Sequence, residues 1–169
     1  MSLDLRCDRG FLGMVEPAEA LHRLAALLRE GDTPISAHVV EADAEPELGL
    51  LAAAGPRAAA NPGEYALVVE AVREGYLLHY GEPRLLSGQD DDLALLAGDY
   101  LYALGIERLA ALGDADAVAI LAELIARCAQ FHAEGREAEV PALWQAAATA
   151  VGGTHGDASS ARVNRLPTS

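Results

Sequence analysis

The chain has 169 residues, a length typical of a single domain, and 51% of them are hydrophobic. Its charged residues are 12 arginines, with no lysine, and 26 acidic residues, which gives a net charge of −14. Because so acidic a surface repels phosphate groups, the composition argues against a nucleic acid or an anionic lipid surface as a partner.

The first residues and the cysteines indicate the cellular compartment. Residues 1–16 lack the cationic start and the continuous apolar stretch of a signal peptide, and we expect them to form a flexible N-terminus. Cys7 and Cys128 are the only cysteines, one near a loose terminus and one in a helical pattern. This usage predicts free thiols in a reducing compartment, so we expect a cytoplasmic protein.

Short helices are predicted in the first third of the chain. Residues 17–30 begin with a proline, whose missing amide costs nothing at a helix start, and carry leucines along one face. Residues 35–60 contain Pro46 and Pro56, which exclude one long helix, while their alanines and leucines predict burial. We therefore expect two short helices between residues 35 and 60.

A longer helix is predicted at residues 64–80. Asn61 is a good N-cap, Pro62 suits the first turn, and Glu64 is placed to complete a capping box. Tyrosines and valines then recur at three- and four-residue spacing as far as Tyr80, which predicts a buried stripe.

The strongest helix signal lies at residues 92–112. The aspartates at positions 90–92 offer acceptors and negative charge to the first amides of a helix. Apolar residues then cover nearly the whole circumference, which predicts a buried, central helix. Charged residues within it argue against a membrane span. Gly98 and Gly105 are two turns apart on one face, where they predict the close approach of another helix.

Asp99 is the informative residue of this helix. A carboxylate one turn inside an apolar helix needs a partner, because burial of an unpaired charge is costly. A structural hydrogen bond to a neighbouring arginine, tyrosine or backbone group is the ordinary explanation. A role in binding a ligand or a metal is the alternative.

Two further helices, predicted at residues 116–134 and 141–151, complete an all-α fold. Their apolar residues repeat at three and four, and the pattern contains no hairpin signals. We therefore predict one helical domain, a single-domain bundle over residues 17–153. Residues 154–169 are polar, and we expect a disordered C-terminal tail.

Groups that could carry chemistry are few. The aspartates at positions 90–92 point in different directions, whereas a hard cation needs converging carboxylates. His79 with Glu82, and Cys128 with His132, are pairs, and two ligands do not make a metal site. The residues therefore predict no catalytic group, no metal ligand and no cofactor.

The segment Leu-Leu-Ala-Gly-Asp-Tyr-Leu at residues 95–101 resembles a motif of the trans-polyprenyl diphosphate synthases. It is similar in character to the short non-catalytic subunit of two-component heptaprenyl diphosphate synthases. Residues 77–79 and 142–147 resemble flanking helices of that family. The resemblance covers residues 64–153 and implies a truncated isoprenoid synthase fold.

The resemblance fails where the family binds magnesium. The three aspartates of its first metal-binding motif align with Tyr80, Gly81 and Arg84, and Val140 stands near the place of a diphosphate-binding lysine. A second aspartate-rich motif is also missing from the sequence. The resemblance, with these departures, implies a protein that is not an enzyme.

Association with a prenyl diphosphate synthase subunit is the function that the resemblance implies, as a heteromer or, failing a partner, a homo-oligomer. The alternatives are a stand-alone helical binder of an apolar, isoprenoid-like ligand and a divergent prenyltransferase-like enzyme. The residues expected to contact a ligand or partner are His79, Gly98, Asp99, Tyr102 and Gly105.

Overall fold

The computed structural model describes residues 15–153 of the chain. This part contains six α-helices: α1 Ala20–Glu30, α2 Glu47–Ala53, α3 Pro62–Tyr80, α4 Asp91–Ala111, α5 Ala115–Ala133 and α6 Val140–Gly152. Between residues 15 and 153 the only extended pairing is an isolated bridge from Val39 to Leu86, so the predicted all-α class is confirmed. The predicted C-terminal tail and all but two residues of the predicted flexible N-terminus lie outside the described residues.

Helix α3 is the centre of the fold. It contacts α1, α2, α4 and α6, and 13 of its 19 residues are buried, two glutamates among them. On one side of α3, α5 and α6 supply a core that includes Phe131 and Trp144. On the other side, α1 and α4 supply a second core that includes Leu24 and Leu101. α3 therefore separates the two larger clusters of the core.

The prediction that α4 is the buried, central helix is wrong. Only five of its 21 residues are buried, and Leu95, Leu96 and Tyr100 are 52%, 65% and 41% exposed. A helix with apolar residues all round can be buried on all sides, or it can bury one face and leave the opposite face exposed. Because α3 occupies the centre, α4 packs through one narrow face only.

One of the two predicted N-caps forms, that of Asp90, and Asp114 caps α5 in the same way. The carboxylate of Asp90 accepts a hydrogen bond of 2.8 Å from the Leu93 amide, and that of Asp114 accepts one of 2.9 Å from the Ala117 amide. The capping box predicted for α3 is wrong, because Asn61 makes no side-chain cap. Glu64 instead forms an ion pair with Arg108 of α4. Such a charge-assisted hydrogen bond is stronger than the bond to a neutral backbone amide that a capping box would provide.

Residues 35–60 contain one regular helix rather than the two that we predicted. Pro46 directly precedes α2, and Pro56 begins a short 3₁₀ turn, Pro56–Ala58, instead of a second α-helix. α2 lies close to α3 at Gly49, where an added Cβ would be 2.8 Å from the carbonyl oxygen of Ala66. Among the helices of residues 15–153, none is long and apolar enough to cross a membrane.

Candidate functional site

Two glycines of α4 lie against α3. A Cβ on Gly98 would be 2.6 Å from Nε2 of His79 and 3.1 Å from the carbonyl oxygen of Gly75. One on Gly105 would be 2.5 Å from Cγ2 of Val72. The predicted close approach of another helix is confirmed, and that helix belongs to the same chain.

His79, Asp99 and Tyr102 meet where α3 ends. The His79 ring stacks on the Tyr102 ring, with centroids 5.3 Å apart, and its Nε2 lies 3.2 Å from Oδ1 of Asp99 without the angles of a hydrogen bond. Burial raises the pKa of the Tyr102 hydroxyl. The structure thus brings these three predicted residues together, and their role as ligand or partner contacts stays a prediction.

The prediction that Asp99 is a carboxylate enclosed by apolar groups is wrong. Its side chain is 74% exposed, because it lies on the outward side of α4. Water solvates it there, so Asp99 has no need of a buried partner. Its contact with the largely buried His79 is an ion pair only when the imidazole is protonated.

More rings continue this cluster towards α5 and α6. The rings of Tyr80 and His132 stack with centroids 4.1 Å apart, and Nε2 of His132 lies 3.0 Å from the hydroxyl of Tyr76. Tyr76 also packs edge-on against Trp144. These contacts join the C-terminal end of α3 to α5 and α6, and they make His132 part of the packing.

A buried charge cluster is the feature that sequence reasoning missed. Glu70 and Glu74, one turn apart on α3, are 1% and 0% exposed. Arg84, in the loop after α3, donates from Nη1 to Glu70 over 2.8 Å and from Nε to Glu74 over 3.0 Å. The signal in the sequence was two acids at i,i+4 inside an otherwise apolar helix.

Backbone amides complete the hydrogen bonding of these carboxylates. Glu74 Oε1 accepts from the amides of Arg84 and Leu85 over 2.6 and 2.7 Å, and Glu70 Oε1 accepts from the amide of Gly49 over 2.7 Å. The pair therefore fixes α2 and the loop after α3 to the central helix. Buried ions kept in this way are structural elements of a fold.

The loop after α3 is also where the family resemblance places a metal-binding motif. There, Tyr80 stacks on a histidine and Arg84 is bound by two carboxylates. Within residues 15–153, no group of three or more His, Cys, Asp or Glu side chains is arranged to hold a metal ion. The Arg84 guanidinium, rather than a metal ion, is the group that the carboxylates of Glu70 and Glu74 bind here.

The outward face of α4 carries an apolar strip. Leu95, Leu96, Tyr100 and Ala103 are exposed along two turns of the helix, and we call them the α4 strip. Exposed carboxylates stand beside it, from Asp92, Asp99 and Glu107. A cluster of large apolar side chains in water is typical of a contact surface.

A second apolar feature lies between α5 and α6. It is a cleft of about 450 Å³ lined mainly by alanines, with Ile120, Leu124 and Leu143, and with Glu123 and Arg127 at its edge. Its volume is in the range of small-molecule sites, and its lining suits an apolar occupant.

Comparisons of the chain with protein-family models, with curated proteins and with solved structures gave no match. The resemblance to the polyprenyl diphosphate synthases is therefore a prediction from sequence segments, and the structure supplies the geometry for judging function.

Proposed function

We propose that the protein is a non-catalytic, isoprenoid-synthase-like protein that acts by association with a prenyl diphosphate synthase subunit, through the α4 strip. The observation that carries this proposal is the exposure of Leu95, Leu96 and Tyr100 on a helix whose opposite face is packed. A partner helix laid along the strip would cover all three side chains at once, as in helix-to-helix recognition by apolar anchors.

The chemistry of the strip favours a different chain over a second copy. Covering the exposed parts of three large side chains contributes on the order of 3 kcal/mol, which is too little alone for a stable complex. Asp92, Asp99 and Glu107 flank the strip, and the whole chain has a net charge of −14. A partner helix with arginines or lysines beside its apolar residues gains attraction, whereas a second copy meets like charge.

The cluster around Arg84 supports the non-catalytic part of the proposal. Condensation of prenyl diphosphates requires metal-assisted charge stabilisation by converging, unoccupied carboxylates. The carboxylates that converge in this fold, from Glu70 and Glu74, are both bound by the Arg84 guanidinium. The divergent-enzyme alternative therefore has less support than association.

Co-expression with the catalytic subunit of a two-component prenyl diphosphate synthase tests the proposal. We expect one complex in size-exclusion chromatography with light scattering, and its loss in Leu96→Glu/Tyr100→Glu protein, because the new charges would be buried next to Asp99. Leu50→Glu is the matched control, since Leu50 is an exposed leucine, at 37%, on α2.

Three results would contradict the proposal. A complex that survives Leu96→Glu/Tyr100→Glu would show that another surface binds the partner. A complex lost equally in Leu50→Glu protein would point to general destabilisation. Assembly of the chain alone into dimers through the strip would favour the homo-oligomer instead.

The cleft between α5 and α6 favours a second candidate function, the binding of an apolar, isoprenoid-like ligand. Farnesol is a suitable probe, and Ala146→Phe should abolish its binding by filling the cleft, which Ala146 lines. Ala142→Phe is the control, because Ala142 is exposed on the same helix outside the cleft. Equal binding by both variants would exclude this cleft as the ligand site.

A further inference from the structure

A third concave feature has polar chemistry unlike that of the surfaces above. It is a cleft of about 530 Å³ beside α2, α3 and the loop after α3. Two arginines and four glutamates are among the residues that line it: Arg73, Arg84, Glu45, Glu47, Glu70 and Glu82. Its volume suits a small molecule.

Aromatic rings fix the position of the Arg73 guanidinium and leave its N–H donors without a carboxylate partner. Its guanidinium carbon lies 4.9 Å from the ring centroids of both Tyr76 and Trp144, so aromatic rings cover the group. Among the described residues, no carboxylate lies within ion-pair distance of it. Burial lowers the pKa of Arg73, which reflects a charge that is partly desolvated. Such a fixed guanidinium, with five N–H donors at its edge, is suited to bind a carboxylate.

Arg84 also lines the cleft, but its charge is compensated by the buried carboxylates of Glu70 and Glu74. Two of its nitrogens are used by Glu70 and Glu74, while the enclosed Nη2 has no acceptor among residues 15–153. Because this nitrogen is enclosed, Arg73 is the arginine of the cleft that can bind a ligand.

The outer edge of the cleft has the opposite charge. Glu45, Glu47 and Glu82 are exposed there, and within the described part of the chain none of them forms an ion pair. These carboxylates would repel a phosphate dianion and attract an ammonium group. The cleft therefore combines an anionic edge with the guanidinium of Arg73, which has no carboxylate partner among residues 15–153.

We propose that this cleft binds a small zwitterion, whose carboxylate pairs with Arg73 and whose ammonium group lies among Glu45, Glu47 and Glu82. A simple amine would leave Arg73 without a partner, and a dianion would be repelled at the edge. A ligand with one charge of each sign complements both parts.

Trp144 provides a direct measurement, because it is the only tryptophan and its ring stacks on Arg73. We expect 6-aminohexanoate, titrated into the full chain, to change the tryptophan fluorescence at millimolar concentration. Arg73→Met should weaken this binding at least tenfold, because it removes charge-assisted hydrogen bonds. Arg73→Lys, which keeps the charge, should retain part of the affinity.

Arg127→Met is the matched control, because Arg127 also stacks on an aromatic ring, that of Phe131, but lines the other cleft. It should bind 6-aminohexanoate as the unchanged protein does. Far-ultraviolet circular dichroism should show both methionine variants equally helical.

The edge of the cleft has its own test. Glu82→Gln should weaken 6-aminohexanoate binding severalfold while leaving or improving that of succinate. Tighter binding of succinate or inorganic phosphate than of 6-aminohexanoate by the unchanged protein would overturn the proposal. So would an affinity that Arg73→Met leaves unchanged, or the absence of binding at millimolar concentration.

Discussion

Replacement of Arg84 by methionine should destabilise the fold severely. The change removes the guanidinium that, within residues 15–153, binds Glu70 and Glu74, whose side chains have almost no access to water. Both carboxylates keep the backbone amides that bind one oxygen each, but their charges lose the compensating cation. The remaining negative charges are then buried beside one another.

The size of the effect follows from the burial. Breaking a buried ion pair by removing one partner costs about 3–5 kcal/mol, out of a total stability of about 5–15 kcal/mol for a typical domain. With a urea dependence of about 2 kcal/mol per molar, the unfolding midpoint should fall by roughly 2 M. Replacing Glu70 and Glu74 by glutamine in the same protein should recover part of this loss, because no uncompensated charge stays buried.

Arg136→Met is the control, because it removes the same number of ion pairs at an exposed site. Arg136 also bridges two carboxylates, those of Glu134 and Glu139, but all three side chains are exposed. Water screens such pairs, so the midpoint should hardly move. If urea unfolding, followed by circular dichroism, showed equal midpoints for Arg84→Met and Arg136→Met, the reasoning from burial would be refuted.

Three other predictions concern packing, a thiol and activity. Gly98→Leu should cost about 1–3 kcal/mol or more by overpacking the seam against α3, and unchanged urea unfolding would contradict the close approach. Burial raises the pKa of the Cys128 thiol to about 11. The stability that the neutral thiol contributes is therefore present below about pH 9 and is lost as pH rises through 11. Urea unfolding of the unchanged protein and of Cys128→Ser at several pH values measures this loss. Incubation with magnesium, isopentenyl diphosphate and an allylic diphosphate should give no chain elongation by the isolated protein, and elongation lost in Asp90→Ala/Asp91→Ala protein would show the opposite.

Local patterns predicted the helices well. The bounds of α3, α4, α5 and α6 each fall within two residues of the prediction, because spacing, caps and prolines act over a few residues. Local patterns did not predict which helix is the most buried. Both α3 and α4 are apolar around most of their circumference, and only the packing of the other helices decides that α3 takes the centre.

The site was predictable in part for the same reason. Gly98 and Gly105 indicated a close approach from their spacing alone, and the structure places it against α3. The exposure of Asp99 could not be predicted once α4 had been assigned to the interior. The ion pairs of Arg84 escaped prediction because its partners, Glu70 and Glu74, lie on another element, and burial of acids depends on what covers them.

An aspartate at position 84 would not recreate a magnesium site, although the family resemblance aligns a metal-binding aspartate there. Glu70 and Glu74 are enclosed, and one oxygen of each accepts hydrogen bonds from backbone amides, which remain in the variant. Magnesium needs octahedral coordination and usually keeps several waters, for which enclosed carboxylates leave no space. Arg84→Asp should therefore add a third negative charge to the cluster and lower the melting temperature, and magnesium should not restore it. Restoration by magnesium alone would identify the cluster as a metal site and would contradict the non-catalytic interpretation.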